Sequence, residues 1–265
     1  MLSSYKLRWR KRFLVVKKAE AGQKTALCLD RGRLYDCVQH TPARAIKLDL
    51  DLDYDSLLIW AEAGLAAGKT VYVSLPAALN LPQSLSARQW GIKRLLDRLA
   101  ALVLAVPLAI PALVVALLIK RTTQESLLVR EWHLGERGRL FQTIHFRIRD
   151  RHGNWLRYGE WMHRFKLDRL PKLLNVLRGE MSLVGACPSR LCNAAQTDRT
   201  LRYRFNALPG LTGAWQFEQV SRLDAVFLNG LDLNYLRHWS LSRDVQMLVM
   251  TLVFLATLQS KDSVA

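Results

Sequence analysis

The residues that could do chemistry are scattered. Asp49-Leu50-Asp51-Leu52-Asp53 sets three carboxylates at alternate positions, so an extended segment would turn them to one side, as a cation site needs. A calcium loop also requires a glycine turn and a terminal glutamate at fixed spacing, and neither follows. These three, like Asp30 beside Arg31, therefore read as solvated carboxylates, the run forming an acidic edge. The six histidines include no pair at i, i+4 with a glutamate between, which argues against a zinc hydrolase. Cys28, Cys37, Cys187 and Cys192 form no CxxC pair, so neither a zinc ligand set nor a disulfide framework is expected. No glycine-rich phosphate loop occurs in the first 90 residues.

The strongest physical signals are charge and an apolar stretch. A net charge of +17 over 265 residues calls for an anionic partner: nucleic acid, lipid headgroups or a phosphorylated substrate. Lys6 to Lys18 is dense in cations around Trp9 and Phe13, and reads either as a strip lying on anionic lipid or as a frayed basic start to the first strand. From Leu99 to Ile119 no side chain is charged, and a helix of that length reaches about 30 Å, enough to cross a bilayer. Yet Lys93, Arg94 and Arg98 precede it and Lys120 and Arg121 follow, so both flanks ask for the cytoplasmic side. Pro107 and Pro111 sit at its middle, where each removes a backbone donor. The expectation is a helix broken at its midpoint, a re-entrant hairpin dipping into one leaflet. The segment favours a membrane over nucleic acid as partner. The apolar run Phe13–Val16 is too short for a signal-peptide core, so the remainder is expected in the cytoplasm.

Elements that would position a site follow from periodicity. Residues 1–90 read as a small cytoplasmic α/β domain, with strands at Phe13–Val16, Ala26–Leu29, Ala45–Leu48 and Thr70–Leu75 and helices at Arg33–Val38 and Ser56–Ala67. That alternation predicts a small parallel sheet. Pro76 and Pro82 mark a linker. Beyond Arg121, strands are predicted at Leu127–Val129 and Leu140–Phe146, and helices at Tyr158–Leu167 and Pro171–Leu177, with Pro171 in the first turn of the latter. Asp244–Leu258 is apolar nearly all round, which suits a buried core helix or one lying in the membrane interface.

Several ordered segments carry a family resemblance. They are Lys93-Arg94-Leu95-Leu96-Asp97, Pro107, and Ala116-Leu117-Leu118-Ile119-Lys120, then Leu134-Gly135 and Phe146-Arg147. The longest runs from Leu167-Asp168-Arg169-Leu170-Pro171 through Asn175 to Met181-Ser182-Leu183-Val184-Gly185. Leu208-Pro209-Gly210-Leu211-Thr212-Gly213-Ala214-Trp215-Gln216, Leu231-Asp232-Leu233-Asn234-Tyr235 and Trp239-Ser240-Leu241 complete the set. From Gly91 onward the chain thus resembles the bacterial sugar transferases, the monotopic polyprenyl-phosphate phosphoglycosyl transferases. The resemblance implies a membrane helix kinked at Pro107, spanning 91–121, and a compact transferase-like domain over 122–265 with interfacial helices. The fold class is α/β, becoming α+β in the transferase part.

The resemblance also implies covalent catalysis at the cytoplasmic face of the bacterial inner membrane. Asp168 would attack the β-phosphate of a UDP-sugar, release UMP, and pass the phosphosugar to polyprenyl phosphate, beginning exopolysaccharide or lipopolysaccharide glycan assembly. Family members use Mg²⁺ and arginines to offset the repulsion of the two polyanions. Arg147, Arg164 and Arg190 are the phosphate-binding candidates. A second copy of the chain or other polysaccharide-synthesis proteins are candidate partners. The chain departs from the family where chemistry is done. Arg169 stands where the family has a metal-holding glutamate, and Ala186-Cys187-Pro188 replaces Pro-Arg-Pro. His145, Ile148 and Arg149 also depart from the pattern around Phe146-Arg147. Two readings stay open: Arg169 supplies the metal's charge and catalysis persists, or catalysis is lost and the fold serves as a membrane-docked scaffold.

Overall fold

The computed structural model describes residues 4–10, 12–19, 27–28, 31–75, 87–217 and 225–260. In chain order the first elements are β1 (Ser4–Arg10), β2 (Phe13–Lys18), β3 (Leu27–Cys28), α1 (Arg31–His40), β4 (Ala45–Asp49), α2 (Tyr54–Ala66), β5 (Thr70–Ser74) and α3 (Ala87–Thr122). Next come β6 (Leu128–Leu134), β7 (Leu140–Phe146), α4 (Gly159–Arg164), α5 (Leu173–Leu177), β8 (Ser182–Val184), β9 (Ser189–Arg190) and α6 (Leu191–Gln196). The last are β10 (Gly210–Thr212), α7 (Ala225–Arg237) and α8 (Leu241–Ser260). The chain forms two compact units. The first comprises Met1–Ala78, Trp132–Phe141 and Ser189–Asn206, and the second Leu79–Glu131, Gln142–Pro188 and Ala207–Ala265.

Unit 1 is built on a five-stranded sheet in the order β3-β1-β2-β4-β5. The expected parallel pairing holds for β2, β4 and β5. The basic start of the chain, however, forms β1 and runs antiparallel to β2. Only two residues separate these strands, too few for a crossover, so antiparallel pairing is forced. One sheet face packs Leu14, Val16, Ile46, Leu48, Val71 and Val73 against Leu34 and Val38 of α1 and Leu57, Trp60 and Ala61 of α2. Leu134, Leu140, Leu191, Ala194 and Phe205 belong to the same core. The unit that holds the first 75 residues thus takes in two later segments, beyond the boundary at residue 90 that the sequence suggested.

The acidic edge expected at Asp49, Asp51 and Asp53 is replaced by three separate structural roles. Asp49 ends β4 and pairs with Lys17 at 3.5 Å. Asp51 pairs with Arg199 and, at 3.1 Å, with Arg202. Asp53 caps α2, accepting from the Ser56 N–H at 3.0 Å. The turn after β4 breaks the strand's alternation, so no common face exists.

In unit 2, α3 is helical throughout from Ala87 to Thr122, with Pro107 and Pro111 inside it. The break expected at the midpoint does not form. Prolines one turn apart take two backbone donors out of a 36-residue helix, and a helix can bend at such a point without ending. Lys93, Asp97 and Ala101 near one end and Val115 and Ile119 near the other are buried, in four-residue steps that place both groups on one stripe of the helix. The other side exposes Leu99, Leu102, Val103, Val106, Ile110, Leu113 and Leu117. Only 11% of the most apolar window of this 35-residue segment is buried. α8 is similarly divided: Asp244, Met247 and Leu248 pack inward, while Leu241, Val245, Val249, Leu252 and Val253 are exposed.

Candidate active site

The segment Leu167–Lys172 forms a short 3-10 helix between α4 and α5, with Pro171 inside it rather than in the first turn of an α-helix. Lys166, just before it, adopts the left-handed conformation at φ 58°. This turn redirects the chain so that Leu167 and Leu170 pack on the cluster formed by Val115, Ile119, Phe146, Leu156 and Met162. Behind it Asn175, fully buried, fastens α5 to β7. Its side-chain oxygen accepts from the Ile144 N–H at 3.2 Å, and its amide donates to Gln142 O at 2.8 Å and Glu180 Oε2 at 2.7 Å. Two anchors, apolar on one side and polar on the other, hold the intervening residues.

Asp168 lies between those anchors, 6% exposed. Its Oδ1 is buried and accepts no hydrogen bond among the described residues. Its Oδ2 stands 3.6 Å from His163 Nδ1, which likewise has no hydrogen-bond partner. A buried carboxylate oxygen without a donor is costly, and a site that accepts that cost keeps a lone pair available for a ligand. Arg169, next in the chain, is half-buried. Burial, and then the Arg169 charge, hold the Lys166 ammonium below its ordinary pKa, while Asp168 pulls the other way.

His163 was not singled out in the sequence. α4 presents it, and this helix begins at Gly159, where a Cβ would stand 2.1 Å from Ile148 O. Its ring lies 5.5 Å from that of Trp155, on which the Arg149 guanidinium rests at 3.8 Å. The one available signal was position: a histidine five residues before an aspartate reaches it only through a local reversal, and Lys166 supplies that reversal.

The other site residues are placed as follows. Arg164 is exposed at the end of α4, next to His163. Arg147 is engaged within the protein: it pairs with Glu125 at 2.7 Å and donates to Ser126 O at 2.8 Å and Ser126 Oγ at 2.7 Å. Arg190 is on β9 of unit 1, opposite His133 of β6, whereas Asp168 belongs to unit 2. Cys187 donates its backbone N–H to Asp232 Oδ1 at 3.0 Å. Among the described residues no three His, Cys, Asp or Glu side chains cluster as a metal site would require. Beside Asp168 the described groups are the His163 imidazole, 3.6 Å from Oδ2, and the Lys166 ammonium, on which its charge acts.

A second buried carboxylate cluster binds α3 to β8, α7 and α8 within unit 2. Lys93 donates to Asp244 Oδ2 at 2.7 Å and to Val184 O at 3.1 Å, with Asp97 at 3.4 Å. Ser182 donates to Asp97 at 2.5 Å, and Tyr235 and Trp239 donate to Asp244 at 2.7 and 3.0 Å. Burial, and then the neighbouring Asp244, push the Tyr235 hydroxyl pKa far upward. Beneath this cluster β8 and β10 run parallel. They approach so closely that a Cβ on Gly210 would fall 2.2 Å from Gly185 N.

Comparison with known proteins adds an independent observation. Residues 88–257 match the model of the bacterial sugar transferase family. The chain is 32% identical over 206 residues to an undecaprenyl-phosphate glucose phosphotransferase of Komagataeibacter xylinus, covering 67% of this chain and 38% of that protein. It is 34% identical to a UDP-glucose:undecaprenyl-phosphate glucose-1-phosphate transferase of Caulobacter vibrioides, covering 62% of this chain and 70% of that one. It is 27% identical to an exopolysaccharide production protein, ExoY, of Sinorhizobium fredii, over 69% of this chain and 95% of that one. The chain spans well under half the length of several curated relatives, such as the 38% of the Komagataeibacter protein and 20% of a sugar transferase of Haemophilus influenzae.

Proposed function

The chain belongs to the bacterial sugar transferase family, and from that premise we propose that it moves a sugar phosphate from a UDP-sugar to polyprenyl phosphate. The observation that carries this reading is the buried Asp168, with one carboxylate oxygen left unpartnered amid cations. Asp168 attacks the β-phosphorus, the bond to the bridging oxygen breaks, and UMP leaves with that oxygen. A phosphate oxygen of the polyprenyl carrier then attacks the same phosphorus and expels the Asp168 carboxylate. Both steps bring anions together, so fixed positive charge lowers the barrier. Arg169, next to Asp168 in the chain, supplies it. His163, beside Oδ2, adds a donor on the other side of the carboxylate.

The substrate pair explains the two uncovered apolar faces. A lipid phosphate and a soluble nucleotide meet only at an interface, where the exposed side chains of α3 and α8 contact lipid. Both halves of α3 pack within unit 2, Lys93 and Asp97 at one end and Val115 and Ile119 at the other. That stripe supports a helix seated in one leaflet, with basic flanks on the cytoplasmic face, over one that crosses. Labelling single cysteines near Arg94 and Arg121 in intact cells tests this, and reaction from the cytoplasm at only one of them would mean a spanning helix.

The activity is tested with the full chain in nanodiscs, by UMP release from a panel of UDP-sugars and polyprenyl phosphate. Turnover by wild type that persists in EDTA, with a sugar-phosphate adduct on Asp168 by mass spectrometry, is the expected result. Wild-type turnover abolished by EDTA would overturn the role given to Arg169. No release with any donor would favour the scaffold reading.

A further inference from the structure

The sheet of unit 1 has one face covered by α1 and α2 and a second face with a different chemistry. On β1, Lys6, Arg8 and Arg10 alternate with Tyr5, Leu7 and Trp9. On β2, Phe13, Val15 and Lys17 alternate with the buried Leu14 and Val16. Lys47 lies between buried Ile46 and Leu48, and Tyr72 between buried Val71 and Val73. The register then sets Lys6 opposite Lys17, Arg8 opposite Val15, Arg10 opposite Phe13, Val15 beside Lys47 and Lys47 beside Tyr72. Because side chains alternate strictly across a strand, these residues share the face that the helices leave open. Asp49, paired with Lys17, is the acid at its margin.

Five cations on one sheet face, two of them directly opposed, repel one another and lower the stability of the domain. The core needs none of them. Phe13 is 41% exposed among them, its ring edge-on to Tyr72 at 6.2 Å. An open sheet face that carries cations around exposed rings fits a flat anionic surface: the charges meet headgroup phosphates and the rings enter the headgroup layer.

We propose that this face of unit 1 docks on the anionic lipid headgroups of the bilayer that receives α3. The inference rests on the membrane reading of α3, because a chain tethered to a bilayer meets its headgroups at high effective concentration. That tether favours lipid over nucleic acid, which would be attracted by the same charge. Docking would give unit 1 a second hold on the membrane and keep it against the surface.

The test uses the full chain in nanodiscs of phosphatidylcholine, with or without about one third phosphatidylglycerol, where surface charge differs. A water-soluble amine reagent reports Lys6, Lys17 and Lys47 by peptide mass spectrometry. Their modification is expected to slow at least about fivefold in the anionic discs, and to recover at about 0.5 M salt, where charges are screened within a few ångströms. The exposed Arg8 and Arg10 can be changed without touching the core, and Arg8→Glu/Arg10→Glu should remove the protection. Equal rates in the two kinds of disc would overturn the proposal, as would protection that requires a single-stranded RNA oligomer rather than phosphatidylglycerol. Retention on neutral discs in high salt reports α3 separately. If that retention fails, the membrane reading of α3 falls, while the lysine rates of protein added to preformed discs still decide the basic face.

Discussion

Two of the buried carboxylate centres in unit 2, at Asp244 and at Asp168, are treated in opposite ways. At Asp244 both oxygens are taken, one by Tyr235 and the other by Lys93 and Trp239, and Asp97 beside it is held by Ser182 and Lys93. At Asp168 one oxygen has no donor and the other has an imidazole at 3.6 Å. The first arrangement saturates its charge and joins α3 to β8, α7 and α8. The second keeps its charge unspent. The two centres are thus alike in burial and differ in the donors that meet them.

Substitutions can break that contrast. Asp168→Asn should abolish UMP release, by more than about 10³-fold, while the melting temperature stays level or rises, because Asp168 Oδ1 has no hydrogen bond to lose. A matching loss of stability would place Asp168 with the structural carboxylates. Arg169→Ala should cost about 10³ in turnover, as loss of a charge-stabilising arginine does, with little change in unfolding. The Arg169→Glu/Cys187→Arg variant restores the family pattern. Activity gained from an inactive parent would show that catalysis has been given up here. Asp244→Ala should have the reverse profile, destabilising by about 3–5 kcal/mol because Lys93 loses its main counter-charge in the interior. Its residual folded protein should still form the Asp168 adduct. Asn175→Ala should cost about 1–3 kcal/mol by stranding the Ile144 N–H and Gln142 carbonyl, read by chemical denaturation. The smallest effect is expected at Asp53→Ala, about 1 kcal/mol for a lost helix cap in unit 1, with UMP release unchanged.

The two units also differ in how far they could be read in advance. In unit 1 the strands Phe13–Val16, Ala45–Leu48 and Thr70–Leu75 and both helices lie where periodicity put them, since each alternates buried and exposed residues against a local core. The hairpin strand β1 was obscured because Arg8, Trp9 and Arg10 at its end are all exposed, so the strand shows no alternation there. Leu134, Leu140, Leu191, Ala194 and Phe205 could not be assigned to this core from spacing, since nothing local marks residues so far along the chain as partners of Trp60. A fragment of residues 1–90 lacks these five, so it is expected to unfold with little cooperativity by circular dichroism.

In unit 2 the motif residues were legible as a group, and Asp168 among them, because their order and spacing match a family. What each one does was not. Asn175 reads as one more polar residue in a helix until β7 offers it an N–H and a carbonyl, and His163 as an isolated histidine until Lys166 turns the chain back.

Composition and order alone determined a strongly positive chain with one long uncharged apolar segment, a strand–helix N-terminal part, and a set of ordered family motifs. Those properties depend on charge totals, local periodicity and ordered motifs, all of which are one-dimensional. The tertiary structure decided which carboxylates are saturated and which is left open. It also decided that α3 continues through its prolines, and that the basic start of the chain forms one face of a sheet. Each of these depends on which groups meet in three dimensions, where a hydrogen-bond donor present or absent separates a saturated carboxylate from an open one.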